Sequence, residues 1–105
     1  MKFSVIAWDV RGPEGVALRD EFRDAHMEMI TRRFEAGEVV LGAGFYDDEG
    51  RVRGSLVVLD LPSRADVDAY LEEEPFMTHG LWATVEVNEL KIPDFYLERL
   101  GPVVR

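Results

Sequence analysis

Two short segments hold the residue types best suited to chemistry near neutral pH. Asp24-Ala25-His26-Met27 lies inside a helical pattern, and Glu72-Glu73-Glu74-Pro75-Phe76 closes a second one. A histidine and a carboxylate brought together by a fold form a minimal acid–base unit, in which the ring takes or gives a proton and the carboxylate fixes its tautomer. The chain has two histidines and no cysteine, so few other groups can do this work. If His26 meets Glu74 in a cleft, the residues describe a small enzyme that moves protons.

Each candidate has a plainer reading. His26 could be a histidine at the edge of the core, hydrogen-bonded and inert. Glu72-Glu73-Glu74 could be a solvated charge run. A carboxylate at a helix C-terminus, however, opposes the macrodipole by about 0.3–1 kcal/mol. Glu74 therefore needs a reason to be there, and a histidine partner supplies one. His79, in Met77-Thr78-His79-Gly80, is read as an exposed loop residue. No metal site is expected, because there is no His-x-x-x-His pair and no cysteine ligand. Gly42-Ala43-Gly44 lacks the lysine and following helix of a phosphate loop. Arg51 and Arg53 read as a solvated hairpin rather than an anion clamp, and Trp8, Phe45, Tyr46, Phe76 and Trp82 as core or interface more than as pocket lining.

The elements that must position these residues can be read from periodicity. Lys2 to Val10 alternates as a strand covered on both faces. Arg11-Gly12-Pro13-Glu14-Gly15 breaks it. From Val16 to Ala36, Leu18, Phe22, Ala25, His26, Met29 and Phe34 fall near one helical stripe, and Gly37 occupies a C-cap position. Glu38 to Tyr46 is a second strand, with a bulge or close approach suggested at Gly42-Ala43-Gly44. The polar turn Asp47-Asp48-Glu49-Gly50 leads into a third strand, Val52 to Leu61, as an antiparallel hairpin. Ser63 caps a short helix that carries Val67, Tyr70 and Leu71 and ends near Glu74, where Pro75 cannot continue it. Leu81 to Leu90 is the last strand, with Ala83, Val85 and Val87 facing one way and Trp82, Thr84, Glu86 and Asn88 the other. The order β-α-β-β-α-β is that of the ferredoxin-like α+β sandwich, a four-stranded antiparallel sheet with two helices on one face. The uncovered face of such a sheet predicts a symmetric homodimer packed face to face.

Composition narrows the functions. The 105 residues suit one domain, and at 47% hydrophobic they suffice for a modest core. A formal net charge of -9 argues against nucleic acid and against anionic membrane surfaces as partners. The absence of cysteine excludes disulfides and thiolate catalysis and agrees with a cytoplasmic protein. No signal-peptide pattern follows Met1-Lys2-Phe3-Ser4, and no apolar run approaches the ~20 residues of a membrane span.

The ordered features also resemble a known family. The Ala25-His26 helix leads to Phe34-Glu35-Ala36-Gly37-Glu38-Val39-Val40. Gly42-Ala43-Gly44 follows, then Gly54-Ser55-Leu56-Val57-Val58 at the opening of the third strand, then Glu74-Pro75-Phe76, Gly80 and the last strand. In this order and spacing the chain resembles the YCII-related family of the dimeric α+β-barrel superfamily over residues 1–91. Residues 92–105 form a tail, apolar enough to pack on the domain or on a dimer partner. In that family a helix histidine and the aspartate of an Asp-Pro-Phe/Tyr motif form an active-site dyad, with a serine nearby. The resemblance assigns these roles to His26, Glu74 and Ser55, with glutamate standing where the family has aspartate. A characterised member is a dehydrochlorinase acting on a chlorinated hydroxyquinol. The resemblance thus implies proton abstraction with elimination or isomerisation on a small cyclic oxygenated compound, with no organic cofactor. The alternative is a non-catalytic module of the same fold that binds a small molecule or serves as an accessory or regulatory subunit.

Overall fold

The computed structural model describes residues 1–100. In chain order the elements are β1 (Lys2–Asp9), α1 (Gly12–Glu35), β2 (Val39–Tyr46), β3 (Val52–Asp60), α2 (Arg64–Glu73), α3 (Pro75–Thr78), β4 (Trp82–Leu90) and α4 (Asp94–Arg99). The strands form one antiparallel sheet in the order β2-β3-β1-β4. This is the ferredoxin-like α+β arrangement expected from the element order.

Alternation along β1 sets the two layers. Phe3, Val5 and Ala7 point into the helix-covered face and are buried, with Val5 opposite Val57 on one side and Val87 on the other. The core continues through Met29 of α1, Leu59 of β3, Val67 and Tyr70 of α2, and Phe76 of α3. Among the described residues no helix is long and apolar enough to cross a membrane.

α1 begins earlier than the breaker-like Arg11-Gly12-Pro13 suggests. Pro13 sits in the first turn, where its missing N–H costs nothing, so the proline starts the helix instead of delaying it. Glu14 in the first turn and Arg32 and Arg33 in the last complement the helix dipole. Gly15 lies where the helix crosses the end of β1. A Cβ there would fall 1.8 Å from the Val10 carbonyl oxygen, so only glycine allows the approach. At the other end Gly37 takes φ 79°, with its N–H on Phe34 O at 3.0 Å and the Glu38 N–H on Arg33 O at 2.9 Å. These two bonds are a Schellman cap. The buried stripe is Met29 with partly covered Leu18, Phe22 and Ile30, while Ala25 and Phe34 turn out to solvent. Phe34 misses the stripe because it lies one helical step past Arg33, which takes the inward position.

Three further details depart from the sequence reading. The glycines of β2 keep regular register with β3. The irregularities fall between Val39 and Leu41 and between Phe45 and Tyr46 instead. β4 does not alternate strictly at its start, since a register shift pairs Trp8 with Thr84 but Asp9 with Trp82. That bulge turns Trp82 into the core, where it is 5% exposed, on the same side as Val85 and Val87. The stretch after Glu74 is not plain loop. Glu74 breaks α2 with ψ 115°, and its side chain accepts from the Phe76 N–H to cap the one-turn helix α3. His79 is the C-cap of that turn and stacks on Phe22, with centroids 3.8 Å apart.

α4 carries no buried residue, and Phe95 and Tyr96 are more than half exposed. The last five residues of the tail lie outside the described residues.

Candidate active site

The site forms where the middle of α1 passes over the N-terminal half of β3 and the start of α3. His26 comes from α1, and its Nδ1 lies 2.6 Å from Glu74 Oε1. The pairing follows from local structure. Pro75 forces the break after α2, and the break turns the Glu74 side chain inward beneath α1. Glu74 is fully buried, whereas the His26 side chain keeps 13% of its surface. Two further donors converge on the same carboxylate. The Tyr70 hydroxyl donates to Oε2 at 2.9 Å and the Phe76 N–H to Oε1 at 3.2 Å. Burial first, then the charge of Glu74 and the hydrogen bond to it, push the Tyr70 phenol well above its ordinary range, so it stays a donor.

An ionised carboxylate only accepts, so Nδ1 must carry the proton it shares with Glu74. Nε2 is then the ring atom left to act on a substrate. The imidazole also stacks on Phe76, with centroids 4.2 Å apart and planes 15° apart, and meets Trp82 edge-on. Ring orientation is thus held from the carboxylate and from two aromatic neighbours.

A second polar arm flanks the first. Asp9 ends β1 fully buried and takes Arg19 in a two-point grip, Nε to Oδ2 at 2.7 Å and Nη2 to Oδ1 at 2.9 Å. Arg19 Nη2 also donates to Ser55 Oγ at 3.1 Å, and the guanidinium lies 4.7 Å from the centre of the Phe76 ring. Ser55 therefore accepts from Arg19 and keeps its own hydroxyl proton to donate elsewhere. Both arms rest on Phe76. They border a cavity of about 380 Å³ lined by Arg19, Arg23, His26, Ser55 and Phe76, with Ile30 and Val57 as apolar wall. Gly42 and Gly44 stand opposite Val57 and Ser55 in the sheet and contribute backbone alone to its floor.

His26, Glu74 and Ser55 are thus within one site, His26 bonded to Glu74 and Ser55 joined to the cavity through Arg19. Arg51 and Arg53 are elsewhere. Arg53 lies 3.9 Å from Asp47 and donates to Gly12 O, in a groove on the other side of the α1 start. The Arg51 N–H, bonded to Asp47, holds that carboxyl below the usual range and pins the hairpin turn. Sequence reading missed Arg19, Asp9 and Tyr70. Arg19 had a usable signal, since it stands seven positions before His26 and so two turns along the same face. Tyr70 stands four before Glu74 on α2, again one turn away. Asp9 had one too, since it continues the inward alternation of Phe3, Val5 and Ala7 along β1. Among the described residues no cluster of three or more histidine, aspartate or glutamate side chains could hold a metal ion.

Comparison with known proteins agrees with this architecture. The chain is similar in structure to 5-chloro-2-hydroxyhydroquinone dehydrochlorinase (TftG) from Burkholderia phenoliruptrix AC1100, solved in complex with 2,5-dihydroxybenzoquinone. The TM-score is 0.76 at 21% identity, covering 90% of this chain and 98% of that one. Protein Atu4242 from Agrobacterium tumefaciens matches with TM-score 0.52 at 18% identity, over 90% of this chain and 96% of that one. Rv0793 from Mycobacterium tuberculosis matches with 0.50 at 20% identity, over 90% and 97%. At such identities these likenesses establish the fold alone. No curated protein matches the chain. The YCII-related domain matches residues 1–91, nearly the whole of the described chain, and this protein therefore belongs to the YCII-related family.

Proposed function

We propose that this protein is an acid–base enzyme of the lyase or isomerase type, acting on a small cyclic oxygenated compound. The observation that carries the reading is a histidine on a cavity wall whose far nitrogen is held by a fully buried carboxylate. In that arrangement His26 Nε2 takes a proton from the substrate or returns one. Glu74 keeps the ring in one tautomer and supports the positive charge that develops on it. Ser55, anchored by Arg19, offers a hydroxyl to a substrate oxygen. In an elimination the base removes a proton, the electron pair moves into the ring, and the leaving group departs with its bonding pair. For a chlorinated hydroquinone the net loss is HCl.

The similarity to the dehydrochlorinase makes 5-chloro-2-hydroxyhydroquinone the first compound to try. Chloride release would be followed with the wild-type chain and with His26→Gln, alongside a thermal melt of each. The expected outcome is turnover that falls by about 10²–10⁴-fold in the variant while the melt is preserved. Turnover that survives His26→Gln would overturn the acid–base reading. Saturable binding of a panel of such compounds without any turnover would favour the accessory binding module instead. A homodimer packed through the outer sheet face belongs to the same proposal.

A further inference from the structure

The cavity beside His26 is basic in a strongly acidic chain. Its lining includes Arg19, Arg23 and His26 and no aspartate or glutamate, although the chain carries 21 acidic residues and a formal net charge of -9. The two carboxylates nearest the cavity are turned away from it and fully buried, Asp9 behind Arg19 and Glu74 behind His26. Asp9 engages Nε and Nη2 of Arg19, and Nη2 also reaches Ser55, which leaves Nη1 as the guanidinium nitrogen without a partner among the described residues. Arg23 stands one turn on from Arg19 and makes no ion pair among the described residues. The rest of the slot is apolar wall, with the bare backbone of Gly42 and Gly44 as its floor.

This distribution has a physical cost. Arginines gathered on one wall repel each other, and a chain with an acidic surplus could relieve them with a carboxylate at the rim. A ligand that brings its own negative charge removes the need for one. An arginine fork suits an oxygen anion in particular, since its N–H groups lie in one plane. The apolar slot sets the other half of the ligand.

We propose that the cavity takes a small planar ring compound carrying a negatively charged oxygen, as in an arenecarboxylate, a phenolate or a ring enolate. The oxygen sits on Arg19 and Arg23, the Ser55 hydroxyl donates to it, and the ring lies between Ile30 and the glycine floor. The inference builds on the acid–base reading by naming the class of compound on which His26 acts. Arg23 is its specificity-determining residue.

The test uses the full chain and a matched pair of probes, benzoate and its neutral isostere benzamide. Each is titrated near neutral pH while backbone amide chemical shifts are followed. Benzoate is expected to shift the amides around His26 and Ser55 and to bind at least about tenfold more tightly than benzamide. Arg23→Met, an exposed position, should weaken benzoate several-fold and leave benzamide unchanged. Added salt should weaken benzoate alone. Arg19→Lys, which keeps a cation beside Asp9, should also weaken benzoate by losing the planar fork. Equal affinity for the two probes, no benzoate binding in the millimolar range, or indifference to Arg23→Met would each overturn the proposal. Those outcomes leave the His26→Gln experiment untouched. Conversely, turnover surviving His26→Gln would remove the acid–base reading even if the preference for benzoate held.

Discussion

At the scale of single residues, Glu74 bears the most weight. Its carboxylate accepts from His26, Tyr70 and the Phe76 backbone while excluded from water. Three donors offset the desolvation of one buried acceptor group, and each loses its partner if that group goes. Glu74→Gln keeps the shape but loses the negative charge, and its amide can donate to Nδ1 and so hold the wrong tautomer. We expect turnover to fall by about 10²–10⁴-fold with the fold retained. Glu74→Ala goes further, leaving the Tyr70 hydroxyl and Phe76 N–H unpaired and opening a void. We expect it to cost about 3–5 kcal/mol, read as a lower urea midpoint with an unchanged slope. The pairing of His26 with Glu74 was legible in the sequence because the two residue types are scarce or misplaced. One was a lone helix histidine, the other an acid at the wrong end of a helix dipole. For Arg19 and Asp9 only the face each occupies was legible, and their pairing was not, because an arginine and an aspartate are common in a chain that is 31% charged. Only the tertiary contact distinguishes them.

At the scale of elements, the site depends on where strands lack side chains as much as on where helices carry them. Gly42-Ala43-Gly44 suggests a bulge or a close approach, since glycine weakens a strand and needs a reason. The structure shows a close approach at Gly44, where a Cβ would fall 2.7 Å from Val52 Cγ1, and open space at Gly42. Gly42 keeps regular register, and a Cβ there would meet nothing closer than the Leu56 carbonyl oxygen at 3.8 Å. Gly42→Val should therefore be accepted by the fold, and the β-branched side chain should suit the strand. The same side chain would fill the cavity floor. We expect unchanged or higher thermal stability together with a raised KM, or lost probe binding in the benzoate titration. The order of elements along the chain, the Ser63 cap and the Gly37 terminus were readable because each rests on local chemistry. Ser63 accepts from the Asp66 N–H and donates to its carboxylate, as its spacing predicts. The inward turn of Trp82 was not readable, since it depends on how β4 aligns with β1.

At the scale of the whole molecule, the sheet has one face under helices and one face left uncovered by the described residues. On the uncovered face Trp8 stacks on Phe45 with centroids 4.9 Å apart, and a Cβ on Gly54 would touch both rings. Trp8 is 48% exposed, and Ile6 and Leu56 are only partly covered beside it. Such a patch is what a second copy packed face to face would bury. If the copies pack through this face, Trp8→Arg should halve the mass measured by sedimentation equilibrium. Each chain carries a formal net charge of -9, so a dimer would form against its own repulsion, and moderate salt should strengthen association even as it weakens benzoate. The exposed Phe95 and Tyr96 of α4 add a second surface, which a chain lacking residues 92–105 would isolate. If that chain turns monomeric while Trp8→Arg stays dimeric, the interface lies on the tail instead of the sheet. If the wild type itself is monomeric, the face-to-face proposal fails.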